Sequence, residues 1–290
     1  MITKAHIKEI DKLLNKEKLV KFKLLQFSFD IACIKFEISN SNKYIAKFNM
    51  KKIKNFNAIK SEAQNLSYLN KKFNFFPKLI ECNENLLIME YIENIKDYPN
   101  KTNLDLIESI IKIHSISNNA FGFNFNTQLG GLEQINNYEK NWPKFFINKR
   151  LYPIFELANK NESMGTVINN KINKLLINIE SLIPDNIVPR LLHGDLWEGN
   201  ILFNKKKFAG FIDPGSFFGH NEMEVAYLRW FNPPFIDSLF LEKYNNYITL
   251  DKAYYSYEAV YQLFYALCNV ALWDKSYTKE VKNLLKKLKV

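Results

Sequence analysis

Between His193 and Gly215 the chain sets two acidic side chains and one amide at spacings that few folds can use. The run is His193-Gly194-Asp195-Leu196-Trp197-Glu198-Gly199-Asn200, then two short apolar stretches, Ile201 to Phe203 and Phe208 to Ile212, then Asp213-Pro214-Gly215. The glycines and the Pro-Gly pair mark turns, and the apolar stretches read as the arms of a β-hairpin. A loop, a hairpin and a second loop would return Asp195, Asn200 and Asp213 to one cleft. There, one carboxylate can accept a proton from a hydroxyl while an amide oxygen and the second carboxylate hold a divalent cation. Either fragment alone would serve as an ordinary turn; their combined spacing is the constraint.

At 290 residues the chain exceeds what one core usually supports, which predicts two lobes. Helical periodicity over residues 4–20, alternation over 21–49 turned at Asn40-Ser41-Asn42, a helix over 55–72 and strand character from Lys78 to Tyr91 predict a small sheet-rich lobe over residues 1–92. A polar, proline-containing connector over 92–101 follows. Helical spacing over 102–118, 133–160, 166–182, 222–231 and 252–288 then predicts a larger, mainly helical lobe over residues 93–290. The class is α+β.

Apolar residues make up 47% of the chain and charged residues 24%, a globular balance. The net charge of +10 invites a nucleic-acid reading, but Arg150, Arg190 and Arg229 are the only arginines and no nucleic-acid module signature occurs. Anionic ligands such as nucleotides fit the charge instead. No apolar run has the length of a membrane span and no secretion signal opens the chain, so no membrane partner and a cytoplasmic location are expected. Cys33, Cys82 and Cys268 form no paired spacing and are expected as free thiols.

Protein kinases place a catalytic-loop aspartate five residues before a metal-binding asparagine, and a second metal-binding aspartate on a following turn. The same offsets make Asp195 the base and Asn200 and Asp213 the Mg²⁺ ligands. Such a site also needs a strand lysine for the phosphates and a helix glutamate to hold it. Lys47, in Tyr44-Ile45-Ala46-Lys47-Phe48, and Glu62, in the following helix, stand in the right order. Leu87-Ile88-Met89-Glu90-Tyr91-Ile92 reads as a hinge strand whose backbone groups around Glu90 and Ile92 would meet an adenine edge.

His193 to Asn200 resembles the aminoglycoside phosphotransferase and choline kinase superfamily, and a longer match resembles the fructosamine (ketosamine) kinases. The features that carry it are Trp197 after His-Gly-Asp-Leu, Asp213-Pro-Gly-Ser-Phe-Phe-Gly-His220 with Glu222 beyond, Asn141-Trp142-Pro143-Lys144-Phe145-Phe146 with Arg150, Phe121-Gly122-Phe123 and Tyr261-Gln262-Leu263-Phe264. The resemblance implies a two-lobed protein-kinase-like fold, ATP and Mg²⁺ as cofactors, and phosphorylation of the sugar 3-hydroxyl of small or protein-linked ketosamines. The unstable 3-phosphate releases the amine, so the activity amounts to deglycation. Trp197 and His220 would line the sugar site, with a core tryptophan and a hydrogen-bonded loop histidine as the alternatives. Trp142, Phe145 and Phe146 would form an aromatic core beneath it. Glu222 and Glu224 would either brace the catalytic loop through backbone hydrogen bonds or serve as helix N-terminal acids.

One stretch departs from the family. Paired glycines usually turn the first two strands toward the phosphates, whereas here the stretch is Phe27-Ser28-Phe29-Asp30-Ile31-Ala32. Side chains at those positions restrict positive φ and close approach; Ser28 could donate its hydroxyl to a phosphate instead. A kinase of another small hydroxyl substrate (an aminoglycoside, choline or a sugar) and a nucleotide-binding pseudokinase remain the competing readings.

Overall fold

The computed structural model describes residues 2–14, 18–53, 55–95 and 97–290. Helix α1 (Lys4–Leu13) starts at Thr3, whose side chain forms a capping box with His6. The expected helix over 4–20 stops early: residues 15–17 lie outside the described residues, and Leu19 already begins a strand. Strands β1 (Leu19–Ser28), β2 (Ile31–Ile38) and β3 (Lys43–Asn49) form a meander, followed by α2 (Ala58–Leu69), β4 (Leu79–Cys82) and β5 (Leu86–Glu90). The sheet is antiparallel in the order β1-β2-β3-β5-β4. On β2 burial alternates strictly, with Ala32, Ile34, Phe36 and Ile38 inside, as a sheet with one covered face requires. Ile34, Phe36 and Ile38 join Ile10 of α1 with Ala46, Phe48, Leu86 and Ile88 in one core cluster.

The rest of the chain runs α3 (Leu104–His114), β6 (Thr127–Leu129), β7 (Leu132–Gln134), α4 (Trp142–Phe146), a π-helical turn (Ile147–Leu151), α5 (Tyr152–Asn161), α6 (Thr166–Asn178), β8 (Arg190–Leu191), β9 (Ile201–Asn204), β10 (Lys207–Phe211), β11 (Phe218–Gly219), α7 (Asn221–Phe231), α8 (Ser238–Asn245), α9 (Tyr254–Leu272) and α10 (Thr278–Lys287). The expected helix over 133–160 does not begin until α4: Asn136 donates from its backbone N–H to Asn126 Oδ1 and from its side-chain amide to Phe125 O, and Asn141 caps α4. The expected helix over 252–288 divides, because the Asp274 side chain accepts from Ser276 N–H and starts a new turn. Among the described residues no helix is long and apolar enough to cross a membrane.

Two compact units result. The first is Met1–Asp97 together with Thr127–Glu133 and Asn200–Gly215, and the second is Tyr98–Asn126, Gln134–Gly199 and Ser216–Val290. The β9–β10 hairpin is tied into the first unit by Ile95 N–H to Phe203 O (3.1 Å) and Phe211 N–H to Phe75 O (2.9 Å). A side chain at Gly210 would stand 2.7 Å from Phe75 O and 2.8 Å from Ile92, so only glycine permits this approach.

Candidate active site

In the first unit Lys47 lies on β3, flanked by β2 and β5, with its side chain buried. Its ammonium donates to both Glu62 oxygens and to Asp213 Oδ1, all at 2.7 Å. Glu62 faces it from α2, which starts at Asn57 with the Asn57 side chain accepting from Lys60 N–H. Burial opposes the Lys47 charge, but Asp213 and Glu62 more than offset it and raise its pKa, so the ammonium stays charged. Burial pushes the Glu62 carboxyl up, against the attraction of Lys47. Removing either partner would strand a desolvated charge.

Asn200 and Asp213 sit at the two ends of the β9–β10 hairpin, and Ile212 N–H donates to Asn200 O at 3.0 Å, which brings the two residues together. Asp213 has φ +56, a left-handed backbone that turns its carboxylate out of the strand line. Thr127 Oγ1 donates to Gly215 O at 3.2 Å, steadying the next turn. An amide and a carboxylate are hard oxygen donors, the set Mg²⁺ takes when phosphates supply other ligands. The residues present therefore fit such an ion.

The glycine-poor turn has a specific solution. Phe29 and Asp30 join β1 to β2 and both take left-handed φ, +51 and +59; this is the geometry of a two-residue hairpin turn that glycine usually fills. The Phe29 ring packs on Gly131, where an added side chain would begin 3.2 Å from Phe29 Cβ. Ser28 Oγ accepts from Gln26 Nε2 at 2.9 Å. In the hinge stretch, Glu90 N–H donates to Lys78 O (2.9 Å) and Ile92 O accepts from Asn94 (2.8 Å). Cys33 is opposite Lys47 on β2, and burial pushes its thiol up to about 12, so it stays a thiol at neutral pH.

In the second unit the loop bearing Asp195 is held by a carboxylate that the residue spacing left undecided. Glu224 of α7 is fully buried and accepts from His193 N–H (2.9 Å), Gly194 N–H (2.7 Å) and His114 Nε2 (2.9 Å). With Nε2–H given to the carboxylate, His114 Nδ1 is left to accept from the Tyr244 hydroxyl (2.7 Å), which in turn accepts from Asn221 Nδ2 (3.0 Å). Burial raises the Glu224 carboxyl, yet the bonds from His114 and the loop outweigh it and hold the pKa below the ordinary value. Asp195 N–H donates to His193 Nδ1 at 3.2 Å, so the bracing reaches Asp195 itself. Glu222, in contrast, accepts from Asp251 N–H (2.6 Å) and the Tyr257 hydroxyl.

The Trp197 ring lies over Gly199, whose Cβ position is 2.4 Å from the ring, and against Phe231 at 5.5 Å between centroids; it is half-buried. His220 is 4% exposed and enclosed by Trp142, Tyr257 and Tyr261, with Nδ1 2.7 Å from the Tyr261 hydroxyl. Its surroundings are those of a hydrogen-bonded core histidine. Burial pushes its pKa down to about 3. Trp142 donates from Nε1 to the same Tyr261 hydroxyl and packs with Phe145 and Phe146 in the core.

Known proteins share both sequence and fold with this chain. An Enterococcus faecium protein named a probable ketoamine kinase is 32% identical over 69% of this chain and 70% of its own length. The ketosamine-3-kinase of Mus musculus is 32% identical over 58% of this chain and 53% of its own length, so the match spans about half of the mouse protein. A crystal structure from Thermobifida fusca, provisionally described as fructosamine-3-kinase, superposes with a TM-score of 0.88 at 20% identity, covering 99% of each chain. At that identity the superposition speaks for the fold, a mixed α+β arrangement with an antiparallel N-terminal sheet and a helical remainder. The fructosamine kinase model matches residues 13–290, nearly the whole chain, and the protein therefore belongs to the fructosamine kinase family.

Proposed function

We propose that this protein is an ATP-dependent kinase that phosphorylates the sugar 3-hydroxyl of ketosamines of the fructosamine or ribulosamine type, on small or protein-linked amines. The observation that carries the reading is the Lys47 ammonium at 2.7 Å from both Glu62 and Asp213: a strand, a helix and a loop from distant parts of the sequence converge on one buried cation. Such a cation, oriented by one carboxylate, is suited to grip the oxygens of a nucleotide phosphate. Family membership and relatives named as ketosamine and protein-ribulosamine 3-kinases supply the substrate class.

In this reading Asp195 accepts the proton of the attacking 3-hydroxyl, and Glu224 keeps its loop from drifting. Asn200 and Asp213 would hold Mg²⁺, which would neutralise charge on the transferred phosphate. Lys47 shifts part of its hydrogen bonding from Asp213 to the phosphates. The Glu90 carbonyl and Ile92 N–H read the adenine edge, and Ser28 releases Gln26 to meet a phosphate. Trp197 provides an aromatic wall for the sugar, whereas His220, enclosed by Trp142, Tyr257 and Tyr261, stays in the core. The residues 1–92 and 93–290 serve as nucleotide and substrate lobes, in a cytoplasmic protein.

The test is ATP turnover with fructosyl-, ribulosyl- and erythrulosyl-lysine beside an aminoglycoside panel, for the parent and for Asp195→Asn. We expect a ketosamine to be the preferred acceptor and the variant to lose about 10²–10⁴ in rate with little change in nucleotide binding. Near-normal turnover by the variant would remove Asp195 as the base. Aminoglycoside turnover without ketosamine turnover would replace the substrate class.

A further inference from the structure

Arg150 takes no part in the chemistry above, yet it is placed as few arginines are. It is 1% exposed, and its partners are neutral: Nη1 donates to Ile135 O and Lys149 O, both at 2.9 Å, and Nη2 donates to Asn136 Oδ1 at 2.5 Å. Nε is buried with no hydrogen-bond partner among the described residues. A desolvated cation without a counter-charge is unfavourable, so its retention calls for a reason in what the guanidinium holds.

It holds two rings. The guanidinium carbon lies 4.1 Å from the Phe217 centroid and 4.8 Å from that of Phe145, and the two rings stack at 5.9 Å. The π-helical turn makes this possible. Residues five apart on an α-helix point about 140° away from each other, whereas the wider π turn brings them nearly into line. Arg150 is thereby set over Phe145, five residues earlier, and projects beyond it to Phe217.

Phe217 sits in the segment that pairs with the strand entering the loop of Asp195. Its carbonyl accepts from Leu192 N–H at 2.9 Å, Ser216 Oγ donates to His193 O at 3.3 Å, and Phe218 pairs with Leu191. The packing is tight: a side chain at Gly219 would stand 2.7 Å from the Phe217 ring and 2.8 Å from Leu192. Glu224 grips the loop at His193 and Gly194, and residues 216–218 grip it at Leu191 to His193, from a different element.

We propose that Arg150 is a positioning residue for Asp195, its guanidinium fixing Phe217 so that residues 216–218 hold the strand entering the catalytic loop in register. The proposal rests on the kinase reading for its rate effect but not for its structural effect, and the experiment separates the two. Arg150→Met fills a similar volume without charge, and Arg150→Lys keeps the charge without the planar fork. Hydrogen exchange of the peptide spanning residues 190–196 and steady-state kinetics with ATP and a ketosamine are measured for both and for the parent.

The expected result for Arg150→Met is about tenfold faster exchange in that peptide, with the N-terminal sheet unchanged. In the same variant kcat falls about tenfold to a hundredfold while KM for ATP stays within twofold. Arg150→Lys should recover part of both. Parental exchange rates in a folded Arg150→Met protein would overturn the proposal, as would faster exchange with unchanged kcat. If Arg150→Met does not fold, a wild-type exchange rate and kcat in Arg150→Lys would overturn any need for the fork. A parent that turns over no ketosamine would defeat the functional reading, while the exchange measurement would still decide whether Arg150 holds the loop.

Discussion

Replacing Glu224 by glutamine changes one atom, and the structure says what that atom does. The carboxylate receives three donors: Oε2 takes His193 N–H and His114 Nε2, and Oε1 takes Gly194 N–H. The glutamine oxygen is best placed at the Oε2 position, where it retains two bonds. Its NH₂ group then faces the Gly194 N–H, leaving a buried donor unpaired at a cost of about 1–3 kcal/mol. The two retained bonds lose their ionic assistance, which adds roughly 1–2 kcal/mol. The sum is on the order of 2–5 kcal/mol, a large part of a total stability of about 5–15 kcal/mol. Thermal unfolding should fall by on the order of 10 °C. Gly194 directly precedes Asp195, so kcat should drop about a hundredfold, whereas KM for ATP should stay close to the parent because Lys47, Glu62 and Asp213 belong to the other compact unit. Differential scanning fluorimetry and initial-rate kinetics on the same preparations read both effects. A variant melting within about 1 °C of the parent with unaltered kcat would refute the assignment of Glu224 as the brace of the loop.

Asp213→Ala should weaken binding of Mg²⁺-ATP far more than of metal-free ATP, by calorimetric titration with and without EDTA; equal losses would take Asp213 out of the metal site. His220 stays neutral in the folded chain until about pH 3 but protonates near 6.5 when unfolded. The unfolded state therefore binds the extra proton between those values. This penalty is absent above pH 6.5 and grows as pH falls, to on the order of a few kcal/mol, and urea melts of His220→Gln at pH 7, 5 and 4 should show a flatter decline than the parent. Ser28→Gly combined with Phe29→Gly relieves a left-handed Phe29 worth about 1 kcal/mol and opens the turn, so KM for ATP should fall with kcat within twofold; a lower kcat would instead mean that Phe29 on Gly131 shields the site.

The path of the chain around the proposed site residues was legible because it is local. Asp195, Asn200 and Asp213 are separated only by turns and one hairpin, and turn residues with alternating apolar arms specify that path without help from the rest of the chain. Lys47 and Glu62 are fifteen residues apart, and a strand followed by a helix leaves few places for them other than facing each other. Apolar spacing extends the helix over 133–160 too far back and runs 252–288 together, because the side-chain caps at Asn141 and Asp274 that start new helical turns leave no mark in that spacing.

Other features depend on groups that meet only after the chain has packed. Nothing near His114 in sequence announces Glu224, 110 positions away, and two acids two residues apart on one helix look alike until burial gives one the loop and the other Tyr257. Likewise, Thr127–Glu133 and Asn200–Gly215 join the first compact unit although both follow the polar connector. The side-chain pattern of the sequence determined which groups are candidates for chemistry and which backbone turns present them. Tertiary structure decided which buried charges and amides satisfy one another, because the cost of leaving a polar group unpaired is felt only once water has been removed from it.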